Sequence, residues 1–115
     1  MKFEQIRQIL NAEAACGAEL LDSEASPAAY ASDMMSDVLA FVTDQTVLLT
    51  GLINEQVIRT AAMLDMRCVI LVRGKQPTEG MLQLAKQNGI AILTTGYNLY
   101  ESCGRLFRSG LRESS

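Results

Sequence analysis

Val47-Leu48-Leu49-Thr50-Gly51, Cys68-Val69-Ile70-Leu71-Val72-Arg73-Gly74 and Ile90-Ala91-Ile92-Leu93-Thr94-Thr95-Gly96 are three versions of one phrase. Each is an apolar run that ends in a polar residue or two and a glycine, and an amphipathic stretch follows each. The glycines lie 23 and 22 residues apart, which is the length of one strand, one turn and one returning helix. Cys68 to Val72 is apolar without alternation, as a strand covered on both faces must be. The three units predict a small three-layer α/β domain with a mainly parallel sheet built from repeated βα units. In such sheets ligands bind at the carboxyl ends of the strands, where these glycines fall.

Working outward, Thr46 to Thr50 reads as a strand, and Asn54 caps a helix with Val57, Ile58, Ala61 and Leu64 on its inner face. Thr78 caps the next helix, with Met81, Leu82 and Ala85 inward and Asn88-Gly89 as the stop. Asn98 with Glu101 three residues on resembles a capping box, and Leu99, Cys103, Leu106 and Phe107 form the buried stripe of the last helix. Ser109-Gly110 ends that helix, and the last five residues are expected to fray. Toward the N-terminus, Phe3, Ile6, Ile9 and Leu10 share a helical face over residues 2–10. Ala12 to Cys16 reads as a short strand ended by Gly17, and residues 18–31 as a second short strand pair or an irregular connection. Ser32 or Asp33 is the expected N-cap of a helix with Met34, Met35, Val38, Leu39 and Val42 as its apolar positions. The methionines are expected mostly in the core.

At 115 residues the chain predicts one domain over 1–115, with the repeat occupying 32–110. No apolar run reaches the ~20 residues that span a bilayer, so no membrane association is expected, and the location expected is the cytoplasm. Net charge is −3, which argues against a nucleic-acid partner. Residues 1–44 carry −6 and residues 45–115 carry +3, so one copy could steer onto another or onto an acidic partner, or both halves are simply solvated. With no histidine, Ser-His-Asp, Cys-His and histidine-metal chemistry are all excluded. The phosphate loop fails because Gly74-Lys75 is followed by Gln76, and no Gly-x-Gly-x-x-Gly occurs. Three cysteines at no metal-like spacing suggest reduced thiols, with Cys68 as inert packing.

The strand tips remain. Thr50, Gly51, Asn54, Arg73, Gly74, Lys75 and Thr95 are the ligand-binding candidates, since hydroxyls, glycine amides and two cations can hold an anion. The competing explanation is that the glycines serve turns needing φ > 0 and that the cations are solvated. Asp33, Ser36 and Asp37 are interaction candidates, the two carboxylates sharing a helix face at i, i+4, although acids in a first helical turn also serve the macrodipole. Arg105, Arg108 and Arg112 form a basic stripe on the last helix, either a docking surface or a solvated helix end. No catalytic residue, metal site or cofactor is expected.

Ser32-Asp33-Met34-Met35-Ser36-Asp37-Val38-Leu39-Ala40-Phe41, Val47 to Leu52 and Val72-Arg73-Gly74-Lys75 together resemble a stand-alone DRTGG domain. Gly89 to Leu93 and Tyr97-Asn98-Leu99-Tyr100-Glu101 fit the same resemblance, which is clearest from Ser32 to Leu111. Such domains are related to the N-terminal domain of HPr kinase/phosphorylase and occur fused to phosphotransacetylase or CBS domains. The resemblance implies a compact α/β regulatory or assembly module of undefined chemistry. The name-giving Asp-Arg-Thr-Gly-Gly string is absent, with Thr50-Gly51 its nearest echo, so no family active site carries over. In the resembling kinase the phosphate loop belongs to a different domain, which these residues do not contain. The function expected is a non-catalytic regulatory or protein-interaction domain acting as a homodimer. The alternative is a sensor of a small anionic or nucleotide-like metabolite at the carboxyl ends of the parallel strands.

Overall fold

The computed structural model describes residues 1–24, 28–42 and 47–113. The elements run α1 (Phe3–Ile9), β1 (Glu13–Cys16), a 3-10 turn (Ala18–Leu20), β2 (Ala28–Ala31), α2 (Met35–Phe41) and β3 (Val47–Thr50). Then follow α3 (Glu55–Met63), β4 (Cys68–Leu71), α4 (Glu79–Asn88), β5 (Ala91–Thr94), α5 (Leu99–Arg108) and β6 (Arg112–Glu113). The sheet order is β1-β5-β4-β3-β2-β6. β2, β3, β4 and β5 pair in parallel, β6 adds in parallel to β2, and β1 closes the far edge antiparallel to β5.

Side-chain alternation explains the three layers. Leu48, Val69, Leu71 and Ile92 point to one face and pack with Val38, Val57, Ile58, Ala61, Met81 and Ala85 of α2, α3 and α4. Val47, Leu49, Ile70, Ala91 and Leu93 point to the other face and meet Phe3, Ile6 and Leu10 from α1 with Leu106 from α5. Every residue of β3, β4 and β5 is buried, so burying each large aliphatic contributes roughly 1.5–3 kcal/mol. Asn54, Thr78 and Asn98 all stand at the N-cap positions expected of them, and two of the three make the capping bond. The Met81 amide donates to Thr78 Oγ1 at 3.1 Å, and the Glu101 amide donates to Asn98 Oδ1 at 2.8 Å. Asn54 occupies the N-cap position of α3, but its side chain accepts no capping bond. The Glu101 carboxylate takes Arg105 at 2.8 Å, so the capping box there is only half made.

Several expectations are corrected. α2 is capped by Met34, not by Ser32 or Asp33, because the Ser32 hydroxyl turns to accept the Met34 amide at 3.0 Å and Asp33 bonds elsewhere. Among the described residues of 18–31 there is no strand pair: a 3-10 turn (Ala18–Leu20) is followed by the strand β2 (Ala28–Ala31). Arg112 and Glu113 do not fray but pair with Ala28 and Ala29. Met34 (59%) and Met63 (73%) are exposed while Met35, Met66 and Met81 are buried, and Leu39 and Phe107 (59%) also face outward. Thr46, expected to open β3, lies outside the described residues.

Gly17 shows how tightly β1 is set against its neighbour. Its φ is +81°, and a Cβ there would stand 2.6 Å from the Ala91 Cα, which is backbone and cannot yield. Gly17→Ala should therefore destabilise the fold by about 2 kcal/mol or more, from backbone strain plus the clash. Chemical denaturation measures this, and a loss of a few tenths of a kcal/mol would contradict the β1–β5 geometry.

Candidate functional site

Parallel pairing brings Thr50, Leu71 and Thr94 into line, so the segments after β3, β4 and β5 meet on one edge. Their polar groups are largely turned on each other. The Val72 amide donates to the Thr50 carbonyl at 3.2 Å, and the Thr95 amide to the Leu71 carbonyl at 3.0 Å. The Arg73 and Gly74 amides donate to the carbonyls of Tyr97 and Thr95, each at 2.8 Å. This tie needs φ of +62° at Arg73 and +69° at Gly74, so the turn explanation accounts for Gly74. It does not account for Gly51 or Gly96, neither of which has a positive φ.

Gly51 has a different role. Its amide donates to Asp33 Oδ1 at 2.7 Å, and the Thr50 hydroxyl donates to the same oxygen at 3.1 Å. Thr50 Oγ1 also accepts the Leu52 amide at 3.1 Å, and the Lys75 ammonium donates to the Gly51 carbonyl at 2.6 Å. A Cβ on Gly51 would lie 3.5 Å from both Asp33 oxygens and 3.8 Å from Lys75 Nζ, so carboxylate and cation gather on the same side of that glycine. Amide, hydroxyl and ammonium are the parts of an anion site, and here the chain's own carboxylate takes the two donors. Asp33 itself is exposed, on the segment between β2 and α2.

The other candidates separate clearly. Thr95 is buried and structural: its hydroxyl donates to the Leu10 carbonyl at 2.6 Å and accepts the Tyr97 amide at 3.3 Å. Asn54 and the Arg73 side chain are exposed at the same edge. Asp33 lies before α2, so it shares no helical face with Asp37, and only Asp37 sits in the first turn. Among the described residues no cluster of three or more His, Cys, Asp or Glu side chains is placed to hold a metal. Among them, no helix is long and apolar enough to cross a membrane.

A second concavity lies away from the strand tips. A groove of about 580 Å³ opens between α5 and β2, floored by Ala29, Ala31, Leu49 and Leu111. Tyr100 (90% exposed) and Phe107 stand on its walls, and Gly104 faces it from the middle of α5. Arg105 pairs with Glu101 and stacks over the Tyr97 ring at 4.1 Å. Arg112 stacks over Phe107 at 4.4 Å and donates to the Phe107 carbonyl at 2.6 Å, leaving its charge without a carboxylate in these contacts. Arg108 also lines the groove and has no hydrogen-bond or ion-pair partner among the described residues. The stripe of arginines was legible, but the groove was not. It depends on β2 emerging beside α5, and the signal that could have found it is Gly104. A mid-helix glycine costs roughly 1 kcal/mol against alanine, yet a Cβ here would meet no atom within 4 Å.

A family model for the DRTGG domain matches residues 5–109. The chain belongs to the DRTGG domain family. The regulatory region of Clostridium perfringens pyrophosphatase, with CBS and DRTGG domains, is a solved structure similar to this domain and was determined with the activator diadenosine tetraphosphate. The TM-score is 0.76 at 18% identity over 99% of this chain, which spans about half (51%) of that one, so the likeness is one of fold. A search of curated proteins finds no significant match for this DRTGG domain.

The three thiols divide by burial. Burial pushes the Cys68 thiol up to about 12 and raises those of Cys16 and Cys103 as well. Cys68 and Cys16 are inside the core, and Cys103 is half-buried beside the groove. A thiol reagent should therefore modify Cys103 first in the native domain. Since the thiolate reacts and burial raises this pKa above its ordinary 9.0, the rate should still climb as pH passes 9. Peptide mapping of the labelled protein checks both statements.

Asp33→Ala leaves the buried Gly51 amide and the Thr50 hydroxyl without their acceptor. A loss of about 1–3 kcal/mol is expected in chemical denaturation, whereas Asp37→Ala should cost well under half as much.

Proposed function

We propose that this DRTGG domain is a non-catalytic regulatory module whose carboxyl edge senses a small anionic, nucleotide-like metabolite by exchange. The observation that carries the reading is the Asp33 carboxylate on the Thr50 hydroxyl and the Gly51 amide. Those donors already hold an anion, and an exposed residue supplies it. An acidic effector competes with Asp33 for the same two donors, with Lys75 and Arg73 at the edge favouring its charge. Exchange frees the segment that leads into α2, which converts binding into a change of surface.

Two further points support regulation over catalysis. The cysteines have raised thiol pKa values, and the chain has no histidine to activate a nucleophile. The similar solved structure is a regulatory region complexed with a nucleotide activator. A homodimer is the form we propose, because Met34, Leu39, Phe41 and Met63 leave apolar surface on the α2–α3 side. Three free thiols suit a cytoplasmic setting.

Thermal shift with inorganic phosphate, acetyl phosphate and ATP tests the exchange. A ligand at a hundred times its Kd stabilises by about 2.7 kcal/mol. The response should shrink in Lys75→Ala and in Arg73→Ala. In Asp33→Ala it should grow relative to that variant's own baseline, because the internal competitor is gone. A response that is unchanged in all three variants, or absent with every anion, contradicts the reading. Light scattering at twice the protomer mass supports the dimer, and a monomer at high concentration removes it.

A further inference from the structure

We infer that the groove between α5 and β2 is a binding site for a planar aromatic anion, a ring carrying one or more acidic groups. The site is separate from the carboxyl-edge exchange and does not rest on it. Four observations converge on it. First, about 580 Å³ is the volume of a small-molecule site, and the half-buried Ala29 and Ala31 of β2 offer apolar contact at its floor. Second, Tyr100 and Phe107 rise on the α5 side as flat, exposed surfaces against which a ring can stack.

Third, the charge is unbalanced. Arg105, Arg108 and Arg112 line the groove, and Glu101, the one carboxylate among its described lining residues, is already engaged by Arg105. A second α5 brought against this one would add its own arginines, so like charges oppose self-packing there while an anion relieves them. Fourth, Gly104 is a helix-weakening residue that nothing inside the chain requires, since a Cβ on it meets no heavy atom within 4 Å. Its absent side chain leaves the helix wall open where a flat group would lie closest to the backbone. The guanidiniums supply bidentate donors for the acidic groups of the same ligand. Ring and charge are both required: an apolar ring alone leaves Arg108 and Arg112 unmatched, and a simple anion leaves the floor uncovered.

Amide NMR on the full chain, titrated with AMP, tests this, with adenosine and inorganic phosphate as the ring-only and charge-only controls. Saturable shifts should centre on Gly104 and spread to Ala29, Ala31 and Phe107, and each control should bind at least about tenfold more weakly. Arg108→Ala should weaken AMP by about tenfold. Gly104→Leu should abolish the shifts while its apo melting temperature stays equal to or above that of the parent, which separates a blocked groove from a damaged fold. AMP shifts at Gly51 and Gly74 with none at Gly104 overturn the assignment, as does phosphate shifting Gly104 as strongly as AMP, or AMP giving no saturable shift at Gly104. A Gly104 signal that moves on dilution without ligand also overturns it, because a second copy then covers the groove. The carboxyl-edge exchange is read at Gly51, so either site can fail without the other.

Discussion

β4 is the constraint from which the rest of the architecture follows. Cys68, Val69, Ile70 and Leu71 are buried on both faces, and the strand bonds in parallel to β3 on one side and β5 on the other. A strand in that position has no solvent face, so a helical layer must cover each side, and each helix must carry an apolar stripe. Parallel order also forces every connection to cross from one edge of the sheet to the other. Three segments that are distant in sequence therefore end together on the carboxyl edge, with backbone groups beyond the ladder in need of partners.

How those groups are satisfied determines what the edge can do. The tips after β4 and β5 bond to each other through Arg73, Gly74, Thr95 and Tyr97 and form a rigid, self-satisfied unit. The tip after β3 instead takes its partner from a distant exposed segment, through Asp33. One half of the edge is thus closed by backbone, the other by a side chain that a competing anion can replace. The α5–β2 groove arises from a different cause: β2 and β6 extend the sheet past the cover of α5, and the helix keeps a glycine there.

Much of the fold was legible because burial writes itself into composition. The uninterrupted aliphatic run of β4, the 3.6-residue stripes of α3 and α4 and the Thr78 and Asn98 caps are local signals, and they appear where periodicity places them. What was not legible depended on distant partners. Asp33 reads as a helix cap until Thr50 and Gly51 are seen to claim it, and Met34 then inherits the cap without any capping chemistry. β2 and β6 are short strands without a strong pattern, defined by pairing with each other and with β3. Phe107 has helical spacing for the core but points outward, beside Arg112. Among the candidate residues, the convergence of Thr50, Gly51, Arg73, Gly74 and Lys75 on one edge followed from parallel topology alone. The use of Gly51 did not, because a glycine after a strand suggests a positive φ, and only Gly74 of the three has one.

Asp33 closes half of the carboxyl edge, and amide hydrogen exchange resolved by residue reads that closure. The Gly51 amide belongs to no strand ladder, and its hydrogen bond among the described residues is to Asp33 Oδ1. The amides of Val69 to Leu71 should exchange only through global unfolding, and the Gly51 amide should be strongly slowed in the parent and lose that protection in Asp33→Ala. A Gly51 amide that exchanges at the rate of an open loop while β4 remains protected would contradict the account.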